Sequence, residues 1–481
     1  MGLITITVNR NGTLKSYRVP EDITVLEALE YINSNYGESI LYRSSCRSGQ
    51  CGSCAMTING EPRLACKTKV EDGMVVEPLE GFNVVKDLII DRSPYYKKIQ
   101  NLRNYLQQEE GEGTIEITPG DIKDFKSVRY CIDCLCCLSK CPARKFSQYP
   151  GPTFMRILAR FAFDPRDGGD REGEAYFENL YNCTTCAKCV EVCPKEIDIV
   201  HRAIERLREL AFKKGYYLKN HLLVRENILK GNRSVKKERG SFLEEIEGEY
   251  IVDNEKMRLA FFTGCLVDYR LQDVGRSAIK VLNAHGVSVV IPKEQVCCGS
   301  PLLRTGQKDL AEKLKRRNLK VFNNLDVDGV VTVCAGCGST LKGDYKGREF
   351  QVMDITQVLD RLPIEYKPLD VKVTYHDPCH LRRGQGIYLE PRRILRRIPK
   401  LKFVEMEIPD QCCGAGGGVR SGKPEVSYAI GKRKVRMICK TGVDYVITVC
   451  PFCEYHIRDT LKKEGINLEV MNIVTLLEKV I

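Results

Sequence analysis

The sequence predicts a multidomain protein of mixed α+β and α/β class. Three observations carry that expectation. The chain has 481 residues, enough for about three to four domains. It contains 24 Cys, whose groupings divide the chain into blocks. Its second half repeats itself. With 43% hydrophobic and 29% charged residues, the composition is that of a globular protein with ample core material.

In chain order, residues 1–95 read as short strands (LITITVNR, TLKSYRV), one helix (ITVLEALEYINSNY) and further strands. Residues 96–235 are helix-rich and hold nine of the Cys. Residues 236–257 are charged and lack clear periodicity, and so read as a linker. Two copies of one unit follow, 258–366 and 367–481. Equivalent cysteines (Cys265 and Cys379, Cys297 and Cys412, Cys334 and Cys450) are offset by 114, 115 and 116 residues. Each copy alternates β-branched runs with stretches of helical period, which predicts two α/β units with largely parallel strands. The Cys fall just after the strands, at the carboxyl ends where such sheets form binding crevices.

So many Cys in a chain without a secretory leader argue for metal-bound thiolates rather than disulfides. The start MGLITITVNRNG reads as a strand, and the myristoylation pattern fails at Ile6. No run of 18 apolar residues occurs. A reduced, cytoplasmic setting without an integral membrane anchor is therefore expected. The formal charge is +12. Thiolate-bound clusters at about −2 each would lower it, and nucleic acid is not an expected partner. Arg392, Arg393, Arg396 and Arg397 have helical spacing and read as a solvated or partner-facing helix surface.

Spacing sorts 22 of the 24 Cys into clusters. Cys46, Cys51, Cys54 and Cys66 follow the C-x4-C-x2-C plus distant Cys pattern of a [2Fe–2S] site. Gly49 and Gly52 suit a tight loop with N–H groups aimed at sulfur. Two C-x2-C-x2-C-x3-C-P runs follow, in which the fourth Cys ligates the other cluster. One [4Fe–4S] set is Cys131, Cys134, Cys137 and Cys193; the other is Cys141, Cys183, Cys186 and Cys189. The repeat supplies two sets of five: Cys265, Cys297, Cys298, Cys334 and Cys337, then Cys379, Cys412, Cys413, Cys450 and Cys453. Zinc is the alternative for these sets, but duplicated five-Cys sets fit its tetrahedral preference poorly. Cys136 and Cys439 remain as spares.

The wording CRSGQCGSCAMTINGEPRLAC, with the two Cys runs, resembles the succinate dehydrogenase/fumarate reductase iron–sulfur subunit family over residues 1 to about 210. That resemblance implies a β-grasp plant-type ferredoxin domain and a helical two-cluster ferredoxin domain. The chain departs from that family in two places. Where most members carry an aliphatic residue it has Cys186, so a [4Fe–4S] rather than [3Fe–4S] second cluster is expected. It also lacks the Trp usually found beside the quinone. Residues 258–481 resemble the cysteine-rich CCG domains of heterodisulfide reductase catalytic subunits. There each five-Cys set holds a noncubane [4Fe–4S] cluster, and the disulfide binds between the two. GAGGGV is not G-x-G-x-x-G, so no dinucleotide site is read there.

Joined, the halves resemble the iron–sulfur subunit family of methanogen thiol:fumarate reductases. The resemblance implies oxidation of coenzyme M and coenzyme B thiols to their heterodisulfide at the noncubane clusters. Electrons then pass through two cubane and one [2Fe–2S] cluster to an FAD-containing subunit that reduces fumarate, in a heterodimer or larger complex. FAD resides on that partner only. Two alternatives are a succinate:quinone oxidoreductase subunit with a fused CCG quinone site, and a CCG electron-transfer subunit of a hydroxy-acid dehydrogenase. A zinc scaffold is the non-enzymatic alternative. Oxidising two thiols releases two protons, and His376, His380 and His456 are candidate carriers; a hydrogen bond to backbone or cluster sulfur is the plainer role for each. Arg304, Lys342, Arg382, Arg383 and Arg420 lie near cluster Cys and are candidates for pairing with anionic thiol substrates.

Overall fold

The computed structural model describes residues 2–108, 115–238 and 240–481, so small parts of the 96–235 and 236–257 segments lie outside the described residues. The chain forms two compact units. The first comprises Met1–Leu180 and Ala187–Tyr216; the second comprises Tyr181–Cys186 and Tyr217–Ile481.

The first unit opens with the antiparallel hairpin β1 (Leu3–Arg10) and β2 (Thr13–Pro20). Asn11 and Gly12 turn it with positive φ, 53° and 90°, the conformation that two-residue hairpins favour. Strands β3 (Ala55–Ile58), β4 (Glu61–Leu64) and β5 (Met74–Glu77) complete a five-stranded sheet of order β2-β1-β5-β3-β4, with β1 and β5 parallel. The helix Val25–Asn35 starts at a capping box between Thr24 and Glu27, which satisfies backbone donors at both ends of the box. It buries Val25, Leu26, Ala28, Leu29 and Ile32 in the core that also holds Ile6 and Val8. A small hairpin, β6 (Val84–Lys86) and β7 (Ile89–Ile90), follows. The rest of the unit is helical. Its central helix, Pro152–Ala162, has Pro at its first turn and is buried along nearly its whole length.

The second unit contains two sheets of matching topology. The first copy pairs β9 (Met257–Phe261), β10 (Val287–Val290), β11 (Gly329–Thr332) and β12 (Val352–Asp354) in parallel, in the order β12-β11-β9-β10. The second copy pairs β13 (Lys372–Tyr375), β14 (Lys402–Phe403), β15 (Tyr445–Thr448) and β16 (Glu469–Asn472) in parallel, in the equivalent order β14-β13-β15-β16. One continuous core joins the copies, running from Leu259 and Val331 through Val373 and Val446 to Val480.

The 236–257 segment is not the linker that its charge suggests. Phe242, Leu243 and Ile246 are buried in this core, with Phe242 edge-on to Phe261. The short strand β8 (Glu249–Tyr250) adds antiparallel to β10 as the edge of the first sheet. Burying three large apolar side chains outweighs the local charge density in deciding where this segment goes.

Candidate metal centres

Backbone geometry shapes the first cysteine group. Gly49 and Gly52 have φ of +75° and +68°, and the loop folds back so that the N–H groups of Gln50 and Cys51 each donate to Cys46 Sγ at 3.2 Å. Backbone N–H donation at Ser48 and Gln50 pulls the Cys46 thiol down to about 6, favouring the ligating thiolate. Burial pushes Cys54 up to about 11, and Cys54 and Cys66 both lie in the sheet's core. At Gly52 a side chain would lie 2.3 Å from the Ile132 carbonyl and 3.0 Å from Cys134, so this loop abuts the next cysteine run at a position that only glycine fits.

Cys131, Cys134, Cys137 and Cys193 line one small cavity in the first unit. Asp133 and Leu135 wrap around it with positive φ. The matching turn at Thr185 and Ala187 repeats this conformation. Of the other cubane set, Cys141 and Cys189 belong to the first unit, and Cys183 and Cys186 to the second. Within the second unit, Cys186 packs against Cys379 and Cys412. Arg383 donates to the Cys186 carbonyl at 3.4 Å and also pairs with Asp410. The spare Cys136 is fully buried and Cys439 is exposed.

All ten cysteines of the repeat line a single cavity of about 570 Å³ in the second unit. Six of them follow the carboxyl ends of β9, β11, β13 and β15, where the strand order switches direction, and the adjacent pairs Cys297–Cys298 and Cys412–Cys413 follow β10 and β14; the carboxyl ends are the usual place for a crevice in such sheets. In the first copy Cys265 meets Cys297, and Cys298 meets Cys337. In the second Cys379 meets Cys412, and Cys413 Sγ lies 3.7 Å from Cys453 Sγ. Cys334 and Cys450 touch, so the two sets face each other. Thiol partners hold Cys298, Cys413 and Cys450 below the ordinary thiol range despite burial. Crowded, buried soft donors of this kind fit an iron–sulfur group.

The histidines separate by position. His380 lines the cavity, its Nδ1 3.5 Å from Cys379 Sγ. His376 is fully buried behind the second set, and burial holds it down to about 3. Burial likewise holds His456 at about 4; Arg420 donates to its Nδ1 and its Nε2 faces Ser427.

Among the expected anion-pairing residues, Arg304 and Arg420 line the cavity and are oriented by Asp344 and Asp459. Lys342 donates to Gln357, and Arg382 and Arg383 are drawn to Asp377 and Asp410. Arg392 departs from the expected solvated surface. It is buried and grips Asp377 through two bonds of 2.9 and 2.8 Å, because an acidic side chain buried beneath the strand end needs a bidentate cation.

Sequence reasoning missed Arg270, which lines the cavity and donates to Tyr455 at 2.7 Å. It also missed Lys434, whose ammonium is fully buried and donates to Met406 Sδ, Ile408 O and Pro409 O. The signal for Lys434 is its helical phase: it follows Ser427, Ile430 and Gly431 on the buried face of Pro424–Cys439.

Family comparisons agree with this layout. A 2Fe-2S iron-sulfur cluster binding domain matches residues 6–97, a 4Fe-4S dicluster domain matches 127–197, and the Cysteine-rich domain (CCG) matches 259–342 and 373–458. The B subunit of the fumarate reductase (CoM/CoB) of Methanothermobacter marburgensis is 50% identical, covering 98% of this chain and 96% of that protein. The chain belongs to the family of fumarate reductase (CoM/CoB) B subunits. An uncharacterized iron-sulfur protein of Methanococcus maripaludis is 66% identical over the full length of both chains. The D subunit of the dihydromethanophenazine:CoB–CoM heterodisulfide reductase of Methanosarcina barkeri is 33% identical over 65% of this chain and 81% of that protein. As a member of the fumarate reductase (CoM/CoB) family, the chain is an iron–sulfur, electron-transferring oxidoreductase subunit. No helix among the described residues is long and apolar enough to cross a membrane.

Proposed function

We propose that the chain is the iron–sulfur subunit of a thiol:fumarate oxidoreductase of the CoM/CoB type. The observation that carries this reading is the single cavity lined by all ten repeat cysteines together with Arg270, Arg304 and Arg420. Two thiols bearing anionic groups can enter it, with their sulfurs between the two cysteine sets and their charges on the guanidinium groups. The ligands are the five sets named from spacing, in a plant-type β-grasp domain (1–95), a helical two-cluster domain (96–235) and two CCG domains (258–366 and 367–481, the first extended by residues 241–250). When bound, one [2Fe–2S], two cubane and two noncubane [4Fe–4S] clusters would remove electrons from the thiols singly and deliver two to FAD on a partner subunit.

The reaction balances as two thiols giving one disulfide, two protons and two electrons, with fumarate taking up two of each to become succinate. His380 is the proton carrier this reading favours, since of the three candidates it alone lines the cavity. Cys186, a ligand of the second cubane in this reading, packs on Cys379 and Cys412 of the second CCG set. The complex is placed in the cytoplasm, where thiols stay reduced.

The deciding experiment assays the complex purified through this chain with reduced viologen and fumarate, and separately with the two coenzyme thiols. Both half-reactions should be present. Fumarate reduction without oxidation of either coenzyme thiol would reject the thiol end of the reading.

A further inference from the structure

The duplication supplies an internal control on the surroundings of the two cysteine sets. Phe262 and His376 are offset by the same 114 residues as Cys265 and Cys379, and so occupy equivalent places after β9 and β13. Phe262 is fully buried and packs with Cys298 and Cys337. His376 is equally buried, and a ring nitrogen lies within 4.8 Å of the Sγ atoms of Cys413 and Cys453, the equivalents of those two thiols.

Among the described residues neither ring nitrogen of His376 has a hydrogen-bond partner; the Pro409 carbonyl influences the ring but lies outside hydrogen-bond geometry. Burying a polar group unpartnered costs about 1–3 kcal/mol, a cost the first copy avoids with phenylalanine. Either ring nitrogen of an imidazole can carry an N–H to donate. Cys413 and Cys453 present sulfur acceptors within 4.8 Å of the ring.

We infer that His376 donates its ring N–H to a cluster sulfur of the second copy, a contact the first copy cannot make, so that the two CCG clusters are electronically inequivalent. The inference rests on the proposed reading that both copies hold clusters. Donation is favoured over ligation of iron, because each five-Cys set already supplies the protein ligands. Hydrogen bonds to cluster sulfurs raise the reduction potential. A second difference acts in the same direction: Lys434 is buried beside the second set, where the position offset by 116 residues in the first copy holds the neutral Asn318. The second cluster therefore has the higher potential, and it is also the one against which Cys186 packs.

The test uses the cluster-loaded full chain grown with ring-15N histidine. Pulsed EPR should show a weak histidine-nitrogen coupling on one CCG cluster, and a redox titration should resolve two CCG potentials. H376F should remove a coupling distinct from any that His380 gives beside Cys379, and shift the higher potential down toward the other. Should H376F fail to accumulate, H380Q decides, because the coupling should survive in it. Full iron and sulfide content without any histidine coupling would overturn the inference alone. So would a coupling of the strength of directly bound nitrogen, or the loss of all histidine coupling in H380Q. Iron and sulfide sufficient for only the three ferredoxin-type clusters would overturn the proposed CCG sites, and the inference with them.

Discussion

Replacing Gly417 by Ala should uncouple the segment Tyr181–Cys186 from the CCG part of its unit. Gly417 has φ +64°, and a Cβ there would stand 2.4 Å from the Cys183 carbonyl oxygen and 2.7 Å from the Thr184 carbonyl carbon. Left-handed backbone costs an L-residue about 1–2 kcal/mol. The clash is with backbone, which cannot rotate aside, and adds about 1–3 kcal/mol. The total of about 2–5 kcal/mol lowers the population of the docked arrangement by roughly one and a half to three and a half powers of ten. Gly465 is the matched control: its φ is +71° and a Cβ there meets nothing within 4 Å, so G465A carries only the backbone part. The gap of about 1–3 kcal/mol should appear as about 1–3 °C in the thermal unfolding of the full 481-residue chain. Mössbauer and EPR spectra should show G417A losing the second ferredoxin-type cluster, which the proposed function assigns to Cys183 and Cys186 among its ligands, while G465A retains it. Equal melting temperatures and equal cluster content in the two variants would refute the reasoning.

Four further outcomes are expected. Cys186→Ala should convert the second cubane to [3Fe–4S], seen as a new EPR signal in the oxidised protein; an unchanged spectrum would mean that Cys186 serves elsewhere. Cys298→Ala or Cys413→Ala should abolish thiol oxidation while leaving viologen-to-fumarate transfer through the reconstituted complex largely intact, and a parallel loss of both would move the thiol site away from the CCG cavity. The purified chain without a flavin subunit should oxidise thiols with an artificial acceptor yet not reduce fumarate. Burial opposes ionisation of Glu80, but Lys140 and Lys145 outweigh it and hold the carboxyl at about 2. The pair is partly solvent-screened, so E80Q should cost no more than about 1 kcal/mol near pH 7. Because the folded pKa is depressed, that cost is present above about 4.5 and vanishes as pH falls through about 2; denaturant melts across that window would detect a pH-independent cost.

Much of this protein is local information, and the sequence by itself determined it. Thiolate spacing within a run is set by the reach of a few residues around one cluster, so CRSGQCGSC, CIDCLCCLSKC and CTTCAKCVEVC could be sorted by counting. The repeat offsets announced two α/β units, and the β-branched runs marked β9, β11, β13 and β15 together with the Cys that follow them. What pairs across distance was decided only by the tertiary structure. The Phe242 segment looked like a linker because its charges are local and its apolar partners, Phe261 and Val267, are not. Arg392 read as a surface residue because helical spacing does not reveal that Asp377 lies buried opposite it. The difference between Phe262 and His376 was visible in the aligned copies, but its meaning depended on both rings facing equivalent thiols. The assembly of ten Cys into one cavity likewise depended on two copies sharing a core and turning the carboxyl ends of their sheets toward each other.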